Sequence, residues 1–163
     1  MEFTITVQRA EEIAAKLRQV AAWMDDRLLR SVADELQAIG GLLEGQVKQR
    51  TPTDTGVLRA SVFSELRITG QSLEEIISSP LVYGTPVEFG SKPHFPPPDA
   101  LKAWARRKLG DEKLAFVVAR AIAKRGTKPN NMFQDAWDAN VGQVQQMLDN
   151  IGVHVSEELL RQL

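Results

Sequence analysis

TPTDTGVLRASVFSELRITGQSLEEIISSP, residues 51–80, contains the change of periodicity on which the fold turns. RTPTDTG, 50–56, stops a helix, because Pro52 lacks an N–H and restricts the residue before it. From Val57 to Thr69 the pattern alternates: Leu58, Ala60, Val62, Leu66 and Ile68 face one way, and Arg59, Ser61, Phe63, Glu65 and Arg67 face the other. Gly70-Gln71 forms a turn, and SLEEIISSP, 72–80, reads as a second strand. LVYGTPVEFG, 81–90, reads as a third, interrupted by Gly84 and Pro86; a proline inside a strand belongs at an edge or bulge. The expectation is an antiparallel meander.

Helical spacing surrounds it. Upstream, EFTITVQ (2–8) alternates as a short strand, and Ile13, Leu17, Val20 and Met24 mark a helix. Asp25-Asp26 caps a longer one carrying Leu28, Val32, Leu36, Ile39, Leu43 and Val47. Gly40, Gly41 and Gly45 weaken this helix or let another element approach closely. Downstream, SKPHFPPP (91–98) is a stiff loop that favours polyproline II. Helices are expected at 98–110, with Ala100, Leu101, Trp104 and Ala105 on one face, and at 111–126, acidic at its start and basic at its end. LAFVVARAIA in the second of these calls for burial on most sides. A last amphipathic helix covers 132–152, and 153–163 is an extra turn or an arm. The fold class is α+β: a small antiparallel sheet of about three to four strands packed with N-terminal and C-terminal amphipathic helices. One domain, 1–163, is expected, with a helical-pair insert at about 99–126 and an arm at 153–163.

Composition bounds the chemistry. The 163 residues include no cysteine, which excludes disulfides, thiolate metal sites and cysteine nucleophiles. No stretch approaches the roughly 20 apolar residues of a membrane helix, so no membrane partner is expected. The first residues lack the pattern of a signal peptide, and the expectation is a soluble product of the cytoplasm. There is no phosphate-binding loop, nucleophile elbow or HExxH. His94 is near Asp54, Glu88 or Asp99 only by conjecture, and no spacing fixes a catalytic or metal-binding geometry. No enzyme activity and no cofactor are expected.

Charge is balanced overall, with 20 basic and 21 acidic residues, but it is unevenly distributed. Residues 101–128 hold Lys102, Arg106, Arg107, Lys108, Lys113, Arg120, Lys124, Arg125 and Lys128 against Asp111 and Glu112. Residues 129–163 are acidic, with Arg161 their only Lys or Arg. The basic block is a solvated face, a dock for an acidic partner or an approach to nucleic acid. Its two short helices have a helix-turn-helix outline, which makes a DNA-binding or regulatory protein using 99–128 the alternative reading.

TPTDTGVLRASV (51–62), VYGTPVEFGSKPHFPPP (82–98) and ARAIAKRGTKPNNMFQDAW (119–137) occur in that order. Together they resemble the small tail-component family of long-tailed double-stranded DNA phages, the neck, head–tail joining or tail-completion proteins. The marks fall on Asp54, Thr55, Gly56, Leu58 and Ser61; on Tyr83, Val87, Glu88, Phe89 and Gly90; and on Pro129, Phe133 and Ala136. The pair at 99–126 is an insertion where shorter members have little more than a loop. The resemblance implies a structural subunit without enzymatic activity, at the virion's head–tail junction and in the host cytoplasm during assembly. It implies copies of the chain in a ring, a connector or head-completion protein on one side, and a tail terminator or tail tube protein on the other. Arg106, Arg107, Lys108, Arg120, Lys124, Arg125 and Lys128 are the candidate partner-facing or DNA-facing patch. In a ring they meet the acidic 129–163 segment of a neighbour, or they hold packaged DNA without sequence preference. His94, Phe95, Pro96 and Pro97 form the candidate docking loop, since a stiff loop loses little entropy on binding.

Overall fold

A computed structural model describes residues 2–3, 26–69 and 72–162. The elements are β1 (Glu2–Phe3), α1 (Asp26–Arg50), α2 (Val57–Ser61), β2 (Phe63–Thr69), β3 (Ser72–Ser78), α3 (Gly84–Phe89), α4 (Pro98–Leu109), α5 (Leu114–Arg125) and α6 (Met132–Gln162). The class is α+β.

The sheet is smaller than expected. β2 and β3 form an antiparallel hairpin in register from Phe63 opposite Ser78 to Thr69 opposite Ser72. The two residues of β1 pair with the free edge of β3. The remainder of the strand expected at 2–8, and the helix expected at 10–24, lie outside the described residues. Two strand assignments are overturned. Residues 57–61 are helical because Leu58 and Val62, both buried, are one helical turn apart, while Ala60 points to solvent. The third strand at 81–90 is α3. Gly84 and Pro86 interrupt a strand, but they are tolerated in the first turn of a helix, where an N–H has no intrahelical partner.

The core is built on two long helices. Leu28, Val32, Ile39, Leu43 and Val47 of α1 share one buried cluster with Phe133, Ala136, Val144, Ile151 and Val155 of α6. Spacings of three and four residues on both helices are those of two helices packed side by side. Glu35, early in α1, lies 3.7 Å from His154, late in α6. The segment 153–162, expected as an extra turn or arm, continues α6 without a break. Of the three glycines of α1, Gly40 faces Glu75 of β3 so closely that a Cβ there would collide with the carboxyl group, whereas Gly41 and Gly45 face open space.

α4 and α5 pack on each other through the buried Ala105, Ala115 and Ala119, apart from the main cluster. The burial expected for α5 is not found: Leu114, Phe116 and Val117 are exposed. Asp111 precedes the helix and accepts from the Lys113 N–H at 2.9 Å, so α5 begins at Leu114 rather than at 111.

Candidate functional site

The second and third marks meet in space. Glu88 is buried, with 1% of its surface exposed, although it is acidic. Its Oε2 accepts from the backbone N–H of Phe133 (3.1 Å) and its Oε1 from that of Gln134 (3.2 Å). These N–H groups open α6 and have no partner within that helix. A carboxylate there also meets the positive end of the helix dipole. Glu88 is therefore the N-terminal cap of α6, supplied from 45 residues upstream. The main chain repeats the contact: Asn130 N donates to the Val87 carbonyl at 2.9 Å and Asn131 N to the Glu88 carbonyl at 3.1 Å. Asn131 enters α6 in the left-handed region, with φ 55°.

The flanking segments close the same join. Ser91 and Thr127 exchange two backbone hydrogen bonds, at 3.2 and 3.1 Å, and their hydroxyls lie 3.0 Å apart. Gly90 (φ 72°) and Gly126 (φ 69°) border this bridge, and a Cβ on either would run into backbone, at Thr127 O and Ser91 O respectively. Only glycine meets both demands, a positive φ and backbone contact.

The first mark is used differently. Gly56 (φ 81°) starts α2, and its carbonyl accepts from Ala60 N at 2.9 Å. Leu58 enters the same buried cluster as Phe133. The Ser61 and Ser79 hydroxyls lie 2.8 Å apart. Asp54 accepts two hydrogen bonds from the Arg107 guanidinium, and Lys108 donates to the Thr53 carbonyl at 2.7 Å. The Arg107 hydrogen bonds hold the Asp54 carboxyl below its usual range. Thr55, Tyr83, Phe89 and Pro129 are exposed.

The candidate basic patch thus divides. Arg107 and Lys108 tie α4 to the 53–54 loop, and Arg106 lies 3.4 Å from Glu112. Arg120, Lys124, Arg125 and Lys128 are exposed and have no ion pair among the described residues. In the candidate docking loop, His94 Nδ1 is 2.9 Å from the Lys92 carbonyl, and His94, Phe95 and Pro97 are exposed. The Phe95 ring meets that of Phe116 edge to face, with centroids 6.2 Å apart, so the loop and α5 form one surface.

One buried acid escaped sequence reasoning. Both Glu75 carboxyl oxygens are buried beneath α1 without a well-formed hydrogen bond among the described residues. Burial pushes this carboxyl up; Ser64 offsets part of that, and Glu44 and Glu65 add to it. Burial also pushes Glu44 up, but Lys48 and the Ser64 N–H outweigh it and leave that carboxyl low. The visible signal was Glu75 within the run EEII, on a strand beside a glycine-containing helix.

Among the described residues no group of acids and histidines is arranged to hold a metal ion, and no helix is long and apolar enough to cross a membrane. Comparison of the chain with protein-family models, with curated proteins and with solved structures finds no match in any of the three.

Proposed function

We propose that the chain is a structural subunit of a phage head–tail neck, joining connector to tail by protein–protein contact in a ring of copies. The observation that carries this reading is the division of labour among the resemblance segments. Glu88, Gly90, Phe133, Leu58 and Asp54 are engaged in holding elements together, and the surface they leave open is apolar and basic. Such a scaffold suits a protein whose work is contact. The 94–97 loop and α5 supply a stiff surface for a neighbour or for the connector.

Electron microscopy of a lysate from phage lacking the gene tests the proposal. Filled heads beside separate tails, with virions restored by supplying the protein, support it. Intact infectious particles without the protein sink it. Reversing Arg120, Lys124 and Arg125 to Glu is expected to impair assembly while the monomer stays folded.

The DNA-binding alternative draws on one observation, the four exposed cations from the middle of α5 to just beyond its end. A duplex binder would hold DNA at physiological salt and lose affinity steeply as salt rises. Weak DNA binding together with capture of connector or tail protein favours the neck subunit.

A further inference from the structure

Two helix stripes are exposed within their own chain and carry matching patterns of opposite charge. On α5 and the residue before it, Lys113, Phe116, Val117, Arg120 and Lys124 recur at helical spacing. Phe116 and Val117 are 53% and 59% exposed. On α6, Asp149, Val153, Glu157 and Leu160 recur at intervals of four, four and three. Val153 and Leu160 are 57% and 72% exposed, alternating with the acids on a helix whose other face is core. Asp149 accepts a hydrogen bond from Gln145, and Glu157 has no partner among the described residues.

The rise of about 1.5 Å per residue sets the register. Above Lys113, the Phe116–Val117 pair is about 5 Å along the axis, Arg120 about 10 Å and Lys124 about 16 Å. Above Asp149, Val153 is about 6 Å along, Glu157 about 12 Å and Leu160 about 16 Å. Laid parallel, Lys113 meets Asp149, Phe116 and Val117 meet Val153, Arg120 meets Glu157, and the Lys124 stem covers Leu160. Laid antiparallel with Phe116 and Val117 kept on Val153, Lys113 meets Glu157 and Arg120 meets Asp149, but Lys124 runs past Asp149 and Leu160 is left uncovered, so only the parallel arrangement uses every member of both stripes. Two copies of the α5 stripe would set lysine against lysine and arginine, and two copies of the α6 stripe acid against acid.

We infer that α5 of one copy docks in parallel on the C-terminal half of α6 of the next, a head-to-tail contact in which the occupant of the exposed α5 surface is a second copy of this chain. This names the neighbour in the proposed ring and rests on that reading for its role in the particle. The contact is heterologous, so it closes into a ring where the rotation per step allows it.

The chain has no cysteine, so positions can be paired cleanly. Val117→Cys and Val153→Cys are made separately, one with an affinity tag, and the two purified chains are mixed with a short thiol-to-thiol reagent. The doubly substituted chain is treated likewise in particles that it complements. The expected product is the 117–153 cross-link, exceeding 117–117 and 153–153. Arg120→Glu on the first chain lowers its yield by at least about tenfold, and Glu157→Arg on the second restores it. Same-site products equal to or above 117–153, or no 117–153 product in solution and in particles alike, overturn the register. So does reversal at Arg120 without effect on the yield, including where duplex DNA proves to occupy that face. Infectious particles that contain the substituted chain, with the 117–153 product found neither in them nor in the mixed chains, remove the register and leave the neck reading standing. Particles that do not contain the chain at all remove the neck reading, while the mixed purified chains still decide the register.

Discussion

The join at the foot of α6 and the α4–α5 pair adjoin along the chain and are built on opposite principles. At the join a buried carboxylate, six carbonyl and carboxyl oxygens matched to backbone N–H groups, and two glycines without room for a Cβ close the contact. The pair packs through alanines, is held to the 53–54 loop by exposed charged contacts, and displays aromatic and basic side chains. Exposed ion pairs contribute little. The segments around Glu88 and Phe133 thus hold the scaffold, and the exposed aromatic and basic surface lies between them in sequence.

The largest loss of stability is expected at Glu88. Glu88→Ala removes the side-chain acceptors of the buried Phe133 N–H and the part-buried Gln134 N–H at the head of a 31-residue helix. A loss of about 3 kcal/mol is expected from denaturant unfolding followed by circular dichroism. Glu88→Gln keeps one acceptor and should lose less; equal stability of wild type and both variants would show that the join is not structural. Next comes a glycine contrast. Gly126 and Gly110 both have positive φ, but only Gly126 has backbone where a Cβ would go. Gly126→Ala is expected to lower stability by about 2 kcal/mol and Gly110→Ala by about 1 kcal/mol.

Glu75, outside both regions, is a half-buried acid whose covered carboxyl oxygens lack the N–H donors that Glu88 has. Its folded pKa is raised, so its favourable contribution is complete below the unfolded value of 4.5 and is lost as pH rises through the folded value. Glu75→Gln should therefore raise the unfolding free energy at neutral pH by about 1 kcal/mol, and the gain should disappear on acidification below that value. A gain that persists in acid would show that ionisation is not the cost. On the exposed pair, Val117→Ser is expected to shift stability by less than about 0.5 kcal/mol while reducing self-association measured by sedimentation. The smallest effect belongs to Asp54→Asn. Arg107 depresses the Asp54 pKa, so that pairing stabilises above the unfolded value of 3.8 and fades as pH falls through the folded one. The variant should differ from wild type mainly in faster proteolysis of the 51–56 loop near neutral pH.

How much could be read in advance follows from the range of the forces. α1 and α4 are legible because each repeats its apolar residues at helical spacing. α6 is equally legible over its first two thirds. Gly70-Gln71 between two alternating runs gives the hairpin. α3 is not legible as a helix, because its short span leaves no room for a period and Gly84 and Pro86 carry opposite meanings in a strand and in a first helical turn. The motif residues could be quoted, but not what Glu88 does: its partners are 45 residues away, and nothing local makes an acid buried among apolar neighbours stable. α6 opens on PNNMF, where either asparagine would serve as a local cap, so the sequence gives no sign that a distant acid caps this helix. The exposed stripes were half visible, as a basic block and an acidic tail; Phe116 and Val117 read as core because periodicity cannot tell which faces a fold leaves uncovered, and Val153 and Leu160 lay in a segment read only as an extra turn or arm.

At about 1.5 Å per residue, the 31 residues of α6 span about 46 Å. The helix is splinted by α1, anchored at its foot by Glu88 and open at its far end. It therefore works as a ruler: the distance from the join to the exposed acidic stripe is set by a count of residues. Seven residues inserted in both helices, two turns, would lengthen the rod by about 10 Å while keeping nearly every face in its orientation. Any layer built from such subunits would have its thickness set by the gene.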